Sequence, residues 1–121
     1  MIRGIRGAIT VEENESQLIL EATSKLLVDM IKKNNINPER VAQVIMTVTD
    51  DLDATFPAKA LRAIEGWTFV PVMCMREIPV PNSLEKCVRV MMTVETDVSQ
   101  EKIQHVYLEG AISLRPDLAS K

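Results

Sequence analysis

Two arginines stand where arginine is least expected. Arg6 and Arg89 lie inside segments that read as β-strands: Gly4 and Ala8 flank Arg6 on its own strand face, and Arg89 lies between Val88 and Val90. A guanidinium held in a sheet must be paired or solvated, because an unpaired buried charge is strongly destabilising. Taken singly, each reads as a snorkelling or ion-paired surface arginine. Taken together, with Lys59, Arg62 and Arg115 near element ends, they equally suit a shared small anion. The planar fork of arginine favours a carboxylate.

The remaining reactive side chains are few. Cys74 and Glu77 sit near the end of one strand-like stretch, His105 and Tyr107 at the start of another. A Cys74 nucleophile with His105 as base is one reading. A small inert thiol is the commoner state, and no cysteine-enzyme signature surrounds this one. Glu77 is either a general base or a solvated carboxylate. Tyr107 reads as a half-buried strand tyrosine and His105 as a surface histidine. The cluster Met73, Met75, Met91 and Met92 reads as core filler. The residues alone reach an arginine-rich anion site and name no reaction.

Composition narrows the field. The 121 residues suit one domain, 1–121, with a polar tail over 115–121. A net charge of −3, from 14 basic and 17 acidic residues, argues against nucleic acid as partner. Two cysteines without a C-x-x-C and a single histidine argue against structural zinc and for a reduced, cytoplasmic chain. The aromatic set is Phe56, Trp67, Phe69 and Tyr107, too sparse for a stacking platform. No apolar run approaches the ~18 residues of a membrane span, and Met1–Thr10 lacks the apolar core of a signal peptide.

The elements that must position these residues follow from periodicity. Met1–Thr10 alternates as a strand, with Ile5 and Ile9 on one face and Arg6 on the other. Ser16 to Asn34 carries Ile19, Ala22, Leu26, Leu27, Met30 and Ile31 at helical spacing. Asn14 with Gln17 suggests a capping box, and Asn34-Asn35 a stop. Asn37-Pro38-Glu39 opens a short helical turn. Val41–Thr49 is a strand, and Phe56-Pro57 opens a second helix that runs through Ile64-Glu65, with Gly66 as its C-terminal stop. Trp67–Met75, Val88–Thr96 and Val106–Leu114 read as strands, with a turn over Ile78–Ser83 and a short helix capped by Ser99. Val88–Thr96 is apolar on both faces, which marks a central strand covered on both sides. Two helices cannot cover both faces of five strands, so the second face is expected to pack against other subunits.

Lined up in order, these segments carry a specific pattern. The chain resembles the monofunctional AroH-class chorismate mutases nearly end to end. The resemblance runs through Ile2-Arg3-Gly4-Ile5-Arg6-Gly7-Ala8, Phe56-Pro57-Ala58-Lys59-Ala60, Gly66-Trp67, Pro71-Val72 and Cys74-Met75-Arg76-Glu77. It continues through Cys87-Val88-Arg89-Val90-Met91-Met92-Thr93-Val94, His105-Val106-Tyr107-Leu108-Glu109 and Leu114-Arg115-Pro116-Asp117-Leu118. The fold it implies is α+β: a five-stranded mixed sheet with helices on one face, assembled as a trimeric pseudo-α/β-barrel with a site at each interface. The implied reaction is the Claisen rearrangement of chorismate to prephenate, toward phenylalanine and tyrosine, with no metal and no cofactor.

The resemblance also implies roles. Arg89 faces the ether oxygen and a carboxylate, and Arg6 binds a carboxylate from the neighbouring side of the interface. Glu77 and the Cys74 region hold the substrate hydroxyl, and Tyr107 adds a hydrogen bond to a carboxylate. Phe56, Ala58, Lys59, Val72, Met73 and Leu114 line or rim the pocket, while Arg62 and Arg115 admit and close over the anion. Where the family often has threonine before the cysteine, this chain has Met73. Arginine chemistry of this kind predicts a rate nearly flat from about pH 6 to 9. The rival readings are a Rid-type imine deaminase, which needs an activated water, and a carboxylate-sensing domain, which binds without turnover.

Overall fold

The structure, a computed structural model, describes residues 1–114; the tail from Arg115, with its expected closing role, lies outside the described residues. Element order is β1 (Ile2–Thr10), α1 (Ser16–Asn34), β2 (Val41–Val48), α2 (Ala58–Arg62), β3 (Val72–Arg76), β4 (Cys87–Glu95) and β5 (Val106–Leu108). The sheet order is β3-β2-β4-β1-β5. Strand β4 runs antiparallel to both neighbours, whereas β1–β5 and β2–β3 are parallel, so the sheet is mixed, as expected.

Strand β4 is central because one of its faces is unbroken hydrocarbon. Val88, Val90, Met92 and Val94 are all buried, against Ile19, Leu26, Leu27 and Met30 of α1 and Leu61 of α2 in one core. Helix α1 has the expected span but a different cap. Glu15, not Asn14, accepts the free N–H groups of Gln17 and Leu18. Asn14 instead ties down the loop before α2, donating to Asp53 and accepting from the Asp53 and Ala54 amides. Asn35 closes α1 at φ 49, the left-handed stop.

Gly7 permits the close approach of α1 to β1. A Cβ there would lie 2.4 Å from Met30 Sδ and 3.0 Å from Leu26 Cδ1. Gly7→Ala is therefore expected to destabilise the fold by about 1–3 kcal/mol, the usual scale of overpacking. A urea melt checks this; an unchanged midpoint would mean that the helix shifts freely.

Three elements are shorter than their sequence suggests. Helix α2 stops at Arg62, and bonds from Ile64 to Leu61 and from Trp67 to Ile64 wind the chain tighter, up to Gly66 at φ 90. Residues 67–70 are a turn closed by Val70 to Trp67, so β3 begins only at Val72; Trp67 is buried as an anchor, not as a strand residue. Strand β5 ends at Leu108 because Glu109 adopts φ 54 and turns the chain into a 3-10 segment, Glu109–Leu114. The turn near Ser99 is a 3-10 helix, Gln100–Lys102, without a side-chain cap.

The Glu109–Leu114 segment crosses to the second face of the sheet. Its Ala111 joins Ala8 and Cys87 in a small separate core, with Leu84, Tyr107 and Leu114 around it. Only that end of the second face is covered. Further along β4, Arg89 and Met91 are exposed and Thr93 is half-buried. The two-sided burial expected of this strand is thus absent within one chain.

Candidate active site

Pairing register decides which side chains meet on the open face. One row runs Met75, Thr47, Arg89, Ala8, Tyr107 across all five strands. The adjacent row runs Met73, Ile45, Met91, Arg6. Because side chains alternate between faces, each row shares one surface. Ala8, between Arg89 and Tyr107, is buried with Cys87 and Ala111 and forms part of the wall where the covered end of the face meets its open part. The result is a cleft of about 520 Å³ lined by Arg6, Ile45, Thr47, Glu77, Arg89, Tyr107 and Leu114 among others.

Glu77 is delivered to this cleft by the backbone. Its amide donates to Val48 O at 2.8 Å, extending the β2–β3 ladder one residue past β3. Its Oε2 lies 3.4 Å from Arg89 Nε and accepts the Thr47 hydroxyl. Arg6 is held through its own backbone. Its N–H donates to His105 Nδ1 at 3.0 Å, so His105 locks β1 beside β5 and is not the plain surface histidine expected. Beneath Arg89 lies the buried thiol of Cys87. Burial pushes this thiol above its ordinary value, against the opposing pull of the Arg89 guanidinium.

Five of the expected residues therefore meet in one cleft of one chain: Arg6, Glu77, Arg89, Tyr107 and Leu114. Arg6, assigned by resemblance to the neighbouring side of an interface, sits on the same side as Arg89. A second group sits elsewhere. Phe56, Lys59 and Cys74 line another cleft of about 440 Å³, with Leu52 and Arg76. Cys74 packs toward the helix-side core, while Glu77, three residues on, turns to the arginine side. Ala58 is buried, Val72 half-buried, Arg62 exposed and Met73 exposed beside Ile45 on the arginine face.

A Cys74–His105 pair is excluded within the chain. Cys74 is on edge strand β3 and His105 beside the opposite edge strand β5. Four strand spacings separate them, roughly 19 Å at about 4.8 Å each. Among the described residues no cluster of three or more His, Cys, Asp or Glu is placed to hold a metal ion, and no helix is long and apolar enough to cross a membrane.

Sequence reasoning missed Thr47 and Cys87. Thr47 is an unremarked position in a β-branched run, and only its register opposite Arg89 brings it to the site. Cys87 had a signal, being two residues from Arg89 and so on the same face.

Comparison with known proteins converges on one family. The model of type I chorismate mutases matches residues 2–118. Chorismate mutase AroH of Bacillus subtilis is 55% identical over 119 residues, covering 98% of this chain and 94% of that protein. Chorismate mutase AroH of Thermus thermophilus is 50% identical over 121 residues, covering 99% and 98%. A solved chorismate mutase from Clostridium thermocellum superposes with a TM-score of 0.88 at 52% identity, covering 91% of this chain and 97% of the other.

Proposed function

The chain belongs to the type I chorismate mutase family and is an isomerase; on that footing we propose how its own residues rearrange chorismate to prephenate. The rearrangement is intramolecular. A C–O bond breaks as a C–C bond forms, and no proton moves between protein and substrate. Negative charge grows on the ether oxygen as the C–O bond stretches. The protein's task is to confine the folded conformer and to aim a fixed cation at that oxygen.

Arg89 supplies the cation. Glu77 engages its Nε, and the terminal amino groups of the fork are left for the ether oxygen and a carboxylate. Arg6 and Tyr107 take up carboxylate charge, and Glu77 with the Cys74 region receives the hydroxyl. The observation that carries this reading is the convergence of Arg6, Glu77, Arg89 and Tyr107 on one open cleft through sheet register and the bond that extends the β2–β3 ladder to Glu77.

The same face supports an assembly. Met73, Met75 and Met91 are 65%, 43% and 37% exposed beside the arginines, an apolar surface of the kind that oligomers cover. The protein is a cytoplasmic homotrimer in this reading, a barrel-like assembly in which each 121-residue chain forms one domain. Each site lies between copies. The Phe56, Lys59 and Cys74 cleft of one copy closes the arginine cleft of the next, with Ala58, Arg62, Val72, Met73 and Leu114 lining or rimming the site and Arg115 closing over the anion.

Loss of chorismate absorbance on adding the purified protein tests the activity. Its pH profile tests the mechanism. Arginine stays charged throughout, and the raised Cys87 thiol stays neutral until pH exceeds its ordinary range. The turnover rate is therefore expected to be nearly flat from about pH 6 to 9. A bell centred in that range would indicate proton transfer and sink the electrostatic mechanism.

A further inference from the structure

We infer that Thr47 is a positioning residue: by donating its hydroxyl to Glu77, it holds the carboxylate that fixes the Arg89 guanidinium over the cleft. This rests on the reading of Arg89 given above. Thr47 lies directly across the sheet from Arg89 on the β2–β4 pairing and from Met75 on the β2–β3 pairing. Its hydroxyl donates to Glu77 Oε2, the same oxygen that lies 3.4 Å from Arg89 Nε. That 3.4 Å contact is too long for a good hydrogen bond, so Arg89 does not hold Glu77 alone. Of the two, the carboxylate is the more enclosed, with 22% of its side chain exposed against 46% for Arg89.

A carboxylate with only the backbone before it and a loose ion contact beside it can rotate about its side-chain torsions. The hydroxyl removes that freedom at one oxygen. Oε2 is thereby committed to the protein, and Oε1 is left for the substrate. The guanidinium, drawn to Oε2 by its Nε edge, is oriented with its other edge outward. Thr47 touches neither reacting atom in this arrangement. It acts through Glu77, and its effect should vanish when Glu77 is absent.

The experiment is a double-mutant cycle with steady-state kinetics on chorismate, alongside wild type. Thr47→Val keeps shape and strand preference but removes the donor. It is expected to lower kcat about tenfold, the scale of one hydrogen bond to a charged group, with KM moving less than about threefold because the aim at the transition state is what is lost. Thr47→Ser is expected to return kcat to within about twofold of wild type. On a Glu77→Ala background, Thr47→Val should cost less than about twofold. Circular dichroism and a thermal melt accompany each variant, and Thr47→Ala replaces Thr47→Val in the cycle if the latter does not fold. Wild-type kinetics for Thr47→Val overturn the inference. So does equal impairment of Thr47→Val and Thr47→Ser, which would mean packing, and so does full additivity with Glu77→Ala. A wild type that fails to consume chorismate overturns the functional reading and the inference with it; active wild type beside an unaffected Thr47→Val overturns the inference alone.

Discussion

Replacing Arg89 with alanine is expected to lower kcat/KM for chorismate by about a thousandfold or more, while Cys74→Ala keeps most of the activity. A single well-placed donor at a developing oxyanion is worth about 10²–10³ in rate, and Arg89 brings a full charge as well as the donor. The effect should fall chiefly on kcat, because the charge it meets exists only as the ether bond stretches. The fold should survive, since the Arg89 side chain is 46% exposed and, among the described residues, its ion contact is with Glu77 alone. Thermal melts of both variants check that point. Citrulline at position 89 is the sharper test, because it keeps the shape of the fork and removes the charge. Undiminished turnover with citrulline, or a dead Cys74→Ala beside an active Arg89→Ala, would end the electrostatic account.

The second large effect is expected from mixing two damaged chains. Lys59→Glu reverses an exposed charge in the Phe56–Cys74 cleft and should repel a dicarboxylate; Arg89→Ala empties the other cleft. Each variant alone is expected to be nearly inactive. If a site takes its arginine cleft from one copy and its Lys59 cleft from the next, co-refolded mixtures recover activity. With random equal mixing in a closed ring, about a quarter of the sites are intact. Recovery toward that fraction supports sites shared between copies. No recovery, with mixed oligomers shown by mass spectrometry, would mean that each chain carries its whole site.

The sequence was most legible where local rules coincide with the tertiary outcome. Helix α1 was readable to its ends because an apolar stripe and the Asn34-Asn35 stop agree. The strands β1, β2 and β4 were readable from alternation and β-branched runs. Where those rules conflict with packing, the reading failed. The Trp67–Val70 stretch looks like strand by composition, yet Trp67 anchors a turn in the core. Beyond Leu108 the pattern remains apolar, yet Glu109 enters the left-handed region and sends the chain over the sheet's second face. The cap of α1 went to Glu15 because the loop before α2 claims Asn14.

By itself, the order of residues determined the family, the sequence of elements though not all their bounds, and the presence of strand-borne arginines beside few acid–base groups. Those properties are local or linear, and alternation alone puts Arg6 opposite Ile5 and Ile9. Which residues share a cleft is not local. Register across β1, β2 and β4 sets Arg89 beside Thr47 and Ala8, and a slip of one residue would turn Arg89 into the core. Backbone pairing beyond β3 brings Glu77 round to Arg89 while Cys74 faces the other way. Only the assembled sheet could decide these neighbours, because each depends on hydrogen bonds between segments far apart in the chain.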